Sequence, residues 1–234
     1  LQLDPDHRAT PIDFGDVCLN FDRAALSAAE VPKSLLDLVD ENLRGKLVVE
    51  NPATSSPGLA FLLATIAEFG EDGGYTWKDY WADLRDNDVT VTAGWSEAYE
   101  VRFSGGYGAG DLPLVVSYAS SPPAEVLFSE DPIAEAPTGV IEAGCFRQIE
   151  FAGILANAPN PELAGKFIDF MLGLEFQEDI PLNMFVFPAN RAAALPDVFI
   201  EHTIVPENPA TLDPAAIDAN RQRWIEEWDA VMLP

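Results

Sequence analysis

Short apolar runs alternate along the chain with stretches whose apolar residues recur every three or four positions, the pattern of strands interleaved with helices. After an opening loop, "DVCLNFD" reads as a strand ending at Asp22. "PKSLLDLVDENLRG" follows at near-helical spacing and stops at Gly45, and "KLVVENP" is a short buried strand closed by Pro52. The polar turn "ATSSPG" leads into "LAFLLATIAEFG", with Pro57 suited to a first helical position and Gly70 marking the far end. Residues 75 to 88 form a second amphipathic pattern, "VTVTAG" a strand broken at Gly94, "GGYGAGD" a turn, and "LPLVVSYASSPP" a strand running into polar residues.

Beyond residue 144, "GCFRQIEFAGILANAP" reads as a long strand. A strong helix over 161 to 178 follows, with Leu163, Phe167, Phe170, Met171 and Leu174 as its expected buried stripe. The closing helix, capped by Asp213, aligns Ile217, Trp224, Ile225, Trp228 and Val231 on one face. This alternation predicts an α/β architecture with a mainly parallel sheet. Ligands gather at the carboxyl ends of parallel strands, where "TSSPG", "GWSEAY" and "YASSPP" are all expected.

Composition narrows the partners. The 234 residues carry 39 acidic and 13 basic side chains, four of them lysine, for a net charge of −26. A surface that acidic repels phosphate backbones and anionic lipid, which argues against nucleic acid and tolerates a cationic or neutral ligand. Because the acids are scattered, they read first as solubility or adaptation to salt. No apolar run reaches the length of a membrane span, and the first residues carry no basic and apolar leader pattern, which leaves export open. Cys18 and Cys145, 127 positions apart in strand-like segments, fit either one disulfide or two buried thiols.

Catalytic patterns are lacking. The two histidines, His7 and His202, have no second histidine at metal-ligand spacing, and zinc, nucleophile-elbow and dinucleotide motifs are absent from the sequence. "GGYGAG" lacks a phosphate-loop lysine and precedes a strand. In "TSSPG", by contrast, Thr54, Ser55 and Ser56 precede a proline-started helix whose free amides favour an anion, although taken alone the motif reads first as a plain helix cap by Ser56. Trp95 and Tyr118 fit either packing or a ligand wall. Together these residues describe a cleft for a flat, cationic ring with a phosphate or hydroxyl tail.

"NPATSSPGLAFLLATIAEFGE", "VTVTAGWSEAYEV" and "LVVSYASSPPAEVLF" resemble the matching segments of the periplasmic thiamine-binding proteins, which deliver thiamine and its phosphates to an ABC importer. "PIDFGDVCLNFD", "CFRQIEFAGIL" and the "WIEEW" ending are similar too, so the likeness spans nearly the whole chain. The resemblance implies a periplasmic-binding-protein type II fold, with two lobes joined by hinge strands and closing on a ligand. Residues 1–21 would be the hinge-entry segment of lobe 1, 22–140 a complete lobe 2, and 141–234 the hinge return strand and C-terminal part of lobe 1. Family members carry most of the first lobe ahead of the "DFGD" strand, so that lobe is incomplete in this chain. A separate segment is expected to complete it.

By the same resemblance Trp95 and Tyr118 flank the thiamine rings, while Ser55, with Thr54, Ser56 and the amides near Gly58, holds the phosphate or hydroxyethyl end. A second family tyrosine falls on Ala124, which removes one aromatic wall. Hinge strands running side by side would bring Cys18 to Cys145. The implied protein is exported to the periplasm or cell exterior, is not an enzyme, uses no cofactor or metal, and partners a membrane permease. The alternatives are a binding protein for another cationic molecule or a metal ion, and an α/β enzyme acting on a phosphorylated substrate. Five dispersed tyrosines, at 75, 80, 99, 107 and 118, count against ferric ion.

Overall fold

The computed structural model describes residues 3–6, 8–131 and 133–233; His7 lies outside them. Strands β1 (Ala9–Asp22), β2 (Leu47–Glu50), β3 (Thr90–Thr92), β4 (Leu114–Tyr118), β5 (Thr138–Gly153) and β6 (Phe187–Pro188) form one six-stranded sheet. Its order is β3-β2-β4-β1-β5, with β6 also on β1. Helices α1 (Ser56–Phe69), α2 (Trp77–Asp86), α3 (Ser121–Phe128), α4 (Pro161–Met171), α5 (Leu174–Met184), α6 (Asp197–His202) and α7 (Pro214–Met232) surround it. The expected mainly parallel sheet is corrected to a mixed one. β2 runs parallel to β3 and β4, whereas β1 is antiparallel to β4, β5 and β6.

The core lies where apolar strand positions meet helices with matching stripes. Val17, Leu19, Val49, Leu114 and Val116 face Phe61, Leu62 and Ile66 of α1, and behind these sit Trp77, Trp81 and Trp228, all fully buried. Trp81 meets Trp228 edge to face at 5.4 Å and donates its indole N–H to Thr65 Oγ1 at 2.9 Å. The closing helix therefore behaves as expected, with Asp213 accepting from Ala215 N–H at its start and Trp224 and Trp228 buried. It packs on α2, with Lys78 paired to Glu227 and Arg85 donating to the Val231 carbonyl. α7 thus docks on α2.

Three further expectations change. The helix over 32 to 45 is two short 3-10 turns, Leu35–Val39 and Glu41–Leu43. Ser34, Asp37 and Asp40 bond nearby backbone amides and so interrupt a continuous helix. The helix over 161 to 178 breaks at Leu172-Gly173, and its stripe is not buried. Leu163, Phe167, Phe170 and Leu174 are all at least 47 % exposed, and Met171 is half-buried. "YASSPP" is not a free loop either: β4 passes almost at once into α3, with Pro122 and Pro123 in its first turn.

β1 and β5 pair along nearly their whole length, but the register jumps between Val17↔Phe146 and Leu19↔Ile141. Four β5 residues, 142 to 145, oppose Cys18 alone. Gly144 takes a positive φ of 77° in this bulge, and the Cys18–Cys145 disulfide closes it. Of the two sequence alternatives, the structure has the bonded pair. No helix among the described residues is long and apolar enough to cross a membrane.

Candidate functional site

Parallel strands β3, β2 and β4 end at one rim, and each hands over to a helix there. β2 stops at Glu50, the chain turns through Asn51–Ser55, and α1 begins. Ser55, in extended conformation, accepts from Gly58 N–H through its hydroxyl, so the cap is Ser55 and not Ser56. Gly58 is buried against β2: a Cβ there would lie 2.4 Å from the Glu50 carbonyl oxygen. Ser56 and Thr54 are exposed and Ser55 half-buried.

β3 stops at Thr92, and Ala93-Gly94 redirect the chain into a π-helical turn over Glu97–Arg102, where Phe103 N–H reaches back to the Ala98 carbonyl. This turn explains the break in "VTVTAGWSEAYEV". Trp95 stays half-exposed at the rim while Tyr99, one turn on, is fully buried beneath it. The two rings stack at 5.0 Å with an interplanar angle of 17°. Tyr99 donates to Glu125, which also accepts from Thr138.

The three segments are tied together. Thr54 Oγ1 donates to the Ala93 carbonyl at 2.6 Å, joining "TSSPG" to the Trp95 turn. Trp95 Nε1 donates to Ser117 Oγ at 2.8 Å, joining that turn to β4, and Ser117 Oγ also bonds Ser121 Oγ. Tyr118 follows directly, half-buried at the strand end. Thr54, Ser55, Ser56, Gly58, Trp95 and Tyr118 therefore share one rim. Ala124 is buried within α3.

The chemistry of the rim is aromatic and acidic. Burial, reinforced by Glu150 and Glu50, pushes the Tyr118 phenol up to about 12, so it stays a neutral donor. Burial raises Glu125 to about 7 despite its bonds from Tyr99 and Thr138. Glu50 is raised by burial to about 8, and neither of its oxygens has a hydrogen-bond partner. At the rim Thr54 and Ser56 are exposed and Trp95 half-exposed, and a groove of about 820 Å³, lined by Phe14, Arg147 and Phe187 among others, opens on the β1–β6 side. No group of three or more His, Cys, Asp or Glu able to hold a metal ion occurs among the described residues.

Sequence reasoning missed three members of the cluster. Ser117 and Tyr99 left no signal, because a serine in "LVVSY" and a tyrosine in "SEAY" read as ordinary strand and helix residues. Glu50 left one: it is a lone charge closing the buried apolar run "KLVVE".

The profile for bacterial extracellular solute-binding proteins matches residues 2–205. A thiamine-binding periplasmic protein of Escherichia coli (strain K12) is 34 % identical over 218 residues, which are 93 % of this chain and 62 % of that protein. One from Brucella abortus is 33 % identical over 219 residues, 93 % of this chain and 61 % of that protein. The chain thus spans a little over 60 % of these relatives. A solved periplasmic thiamin binding protein superposes with a TM-score of 0.83 at 30 % identity, covering 99 % of this chain and 68 % of that one. A ferric binding protein from Campylobacter jejuni, with a TM-score of 0.76 at 18 % identity and covering 97 % and 71 %, shares the fold alone.

Proposed function

The chain belongs to the bacterial extracellular solute-binding protein family, and from that premise we propose that it is the substrate-binding component of an ABC importer, exported to the periplasm or cell exterior, and that it takes thiamine or a thiamine phosphate. It binds and releases its ligand without chemistry and passes it to a membrane permease. The observation that carries the ligand reading is the Trp95 shelf: an indole fixed through its N–H, backed by a buried tyrosine, and half-exposed at the strand ends. Such a face attracts a cationic ring by its quadrupole, and the acidic surroundings add to the attraction.

The tail of the ligand would meet the start of α1. Ser55 already accepts from Gly58 N–H, so its own proton remains free to donate to a phosphate or hydroxyl oxygen. Thr54 is committed to Ala93, which leaves Ser56 and the first-turn amides as the remaining donors. In the two-lobed reading, residues 22–140 with α7 form the second lobe. The outer halves of β1 and β5, with β6 and α4 to α6, belong to the first lobe. Hinge closure over the shelf would then be a shift between open and closed populations.

Calorimetry with thiamine, its mono- and diphosphate, and spermidine tests this reading. One thiamine compound is expected to bind stoichiometrically and unchanged, with spermidine inert. Trp95→Ala should weaken that binding by about tenfold or more. Equal affinity in parent and variant, or turnover of a phosphate ester, would refute the proposal.

A further inference from the structure

Glu50 is the one rim residue for which the binding site as described has no use. It is fully buried, both carboxyl oxygens lack a hydrogen-bond partner, and no Lys or Arg among the described residues shifts its ionisation. An isolated buried carboxylate is strongly unfavourable, so the group is held as the neutral acid. Its place in the sheet gives it a role. Glu50 pairs with Thr92 on β3, and β2 pairs with β4 as far as Val48 opposite Val115, two residues before Glu50 on one strand and Ser117 on the other. Thr92, Glu50 and Ser117 thus stand at or next to the carboxyl ends of three neighbouring parallel strands, and the Trp95 indole bonds to Ser117.

We propose that Glu50 is the buried counter-charge of the ligand cation, a carboxylic acid beneath the Trp95 shelf when ligand is absent and a carboxylate when a cationic ring stacks there, its proton passing to bulk solvent. The inference rests on the thiamine reading above. A permanent positive charge over the indole supplies the favourable interaction that ionised Glu50 lacks, and Glu50 in turn strengthens the hold on cations over neutral rings of the same shape. The groups around it do not substitute for it. From β4, Tyr118 is a neutral phenol at this pH. From the π-helical turn, the Tyr99 hydroxyl is bonded to Glu125 of α3, and Glu97 accepts from Ala93 N–H. From β3 and α1, Thr92 and Gly58 carry no charge. From β5, Glu150 acts on Tyr118 and Asp13.

The test is thiamine titration calorimetry of the full chain in phosphate and in Tris, whose ionisation heats differ, at several pH values. The parent should release a proton on binding, and its affinity should rise by up to about tenfold per pH unit as pH approaches about 8. Glu50→Gln should give equal heats in both buffers and an affinity flat with pH. Glu125→Gln, which removes the other rim acid with a raised pKa, should still release the proton. Parent heats that agree between buffers, or release that persists in Glu50→Gln and vanishes in Glu125→Gln, overturn the inference while thiamine binding stands. Absence of thiamine heat at every pH removes the underlying reading, and this inference with it. A protonated-carboxyl band in the parent-minus-Glu50→Gln infrared difference spectrum of ligand-free protein is expected at neutral pH. Its absence would also overturn the assignment.

Discussion

A methyl group on Gly58 would sit 2.4 Å from the Glu50 carbonyl oxygen and 2.8 Å from its carbon, a clash with backbone that no rotamer relieves. Gly58→Ala should therefore push α1 away from β2, despite alanine's better helix propensity. The expected result is a loss of about 1–3 kcal/mol in urea unfolding, together with weaker thiamine binding because Ser55 and Trp95 move apart. A variant as stable as the parent would show that the helix start tolerates displacement. Much of this scale was legible in the sequence. Trp95, Tyr118 and "TSSPG" stood out because each follows a strand, and strand ends at a parallel edge face the rim. Ser117 did not, since its role exists only through an indole 22 positions away, reached by folding.

Elements were legible where periodicity and caps agreed. α1, α2 and α7 carry proline or capping residues at their starts and regular stripes, and they formed as read. The 3-10 turns after Val31 did not, because serine and aspartate side chains compete for the same amides. Strand direction was unreadable as well. "DVCLNFD" has the same alternation whichever way its neighbours run, so the antiparallel pairings of β1 were invisible. The disulfide belongs to this scale. It joins β1 to β5 at the bulge, where the regular ladder between Val17 and Leu19 is lost. The Cys18→Ser, Cys145→Ser double variant should lose about 2–4 kcal/mol of stability in urea. Thiol titration of the unfolded parent should find free cysteines only after reduction, and free thiols without reductant would contradict the pairing.

For the whole molecule, charge decides how stability follows pH. Asp13, Glu50 and Glu125 are raised by burial to about 6, 8 and 7, above their values in an unfolded chain. A raised folded pKa means that the native state holds more protons than the unfolded one. The stabilising contribution is then complete below the unfolded pKa and lost as pH rises through the folded value. Mutual repulsion within a net charge of −26 acts in the same direction. The thermal midpoint should therefore fall from about pH 5 to about pH 8, and Glu50→Gln should recover part of that fall, on the order of a few kcal/mol at most. Salt near 1 M should recover the repulsive part only, since screening reaches exposed charges and not buried carboxyls. A midpoint indifferent to both pH and salt would contradict this assignment. The mixed sign of the sheet, parallel among β2, β3 and β4 and antiparallel around β1, is also a property of this scale that no single segment announces.

The central strand has a consequence for how the protein comes into being. β1 is synthesised ahead of every strand it touches, and its neighbours β4, β5 and β6 follow roughly a hundred or more positions later. β4, the first of these partners, is complete only at residue 118, about halfway along the 234 residues. The centre of the sheet therefore closes late, when β5 and β6 from the second half of these residues reach a strand made near their beginning, so that maturation of the hinge-side ladder depends on long-range closure rather than on neighbouring hairpins.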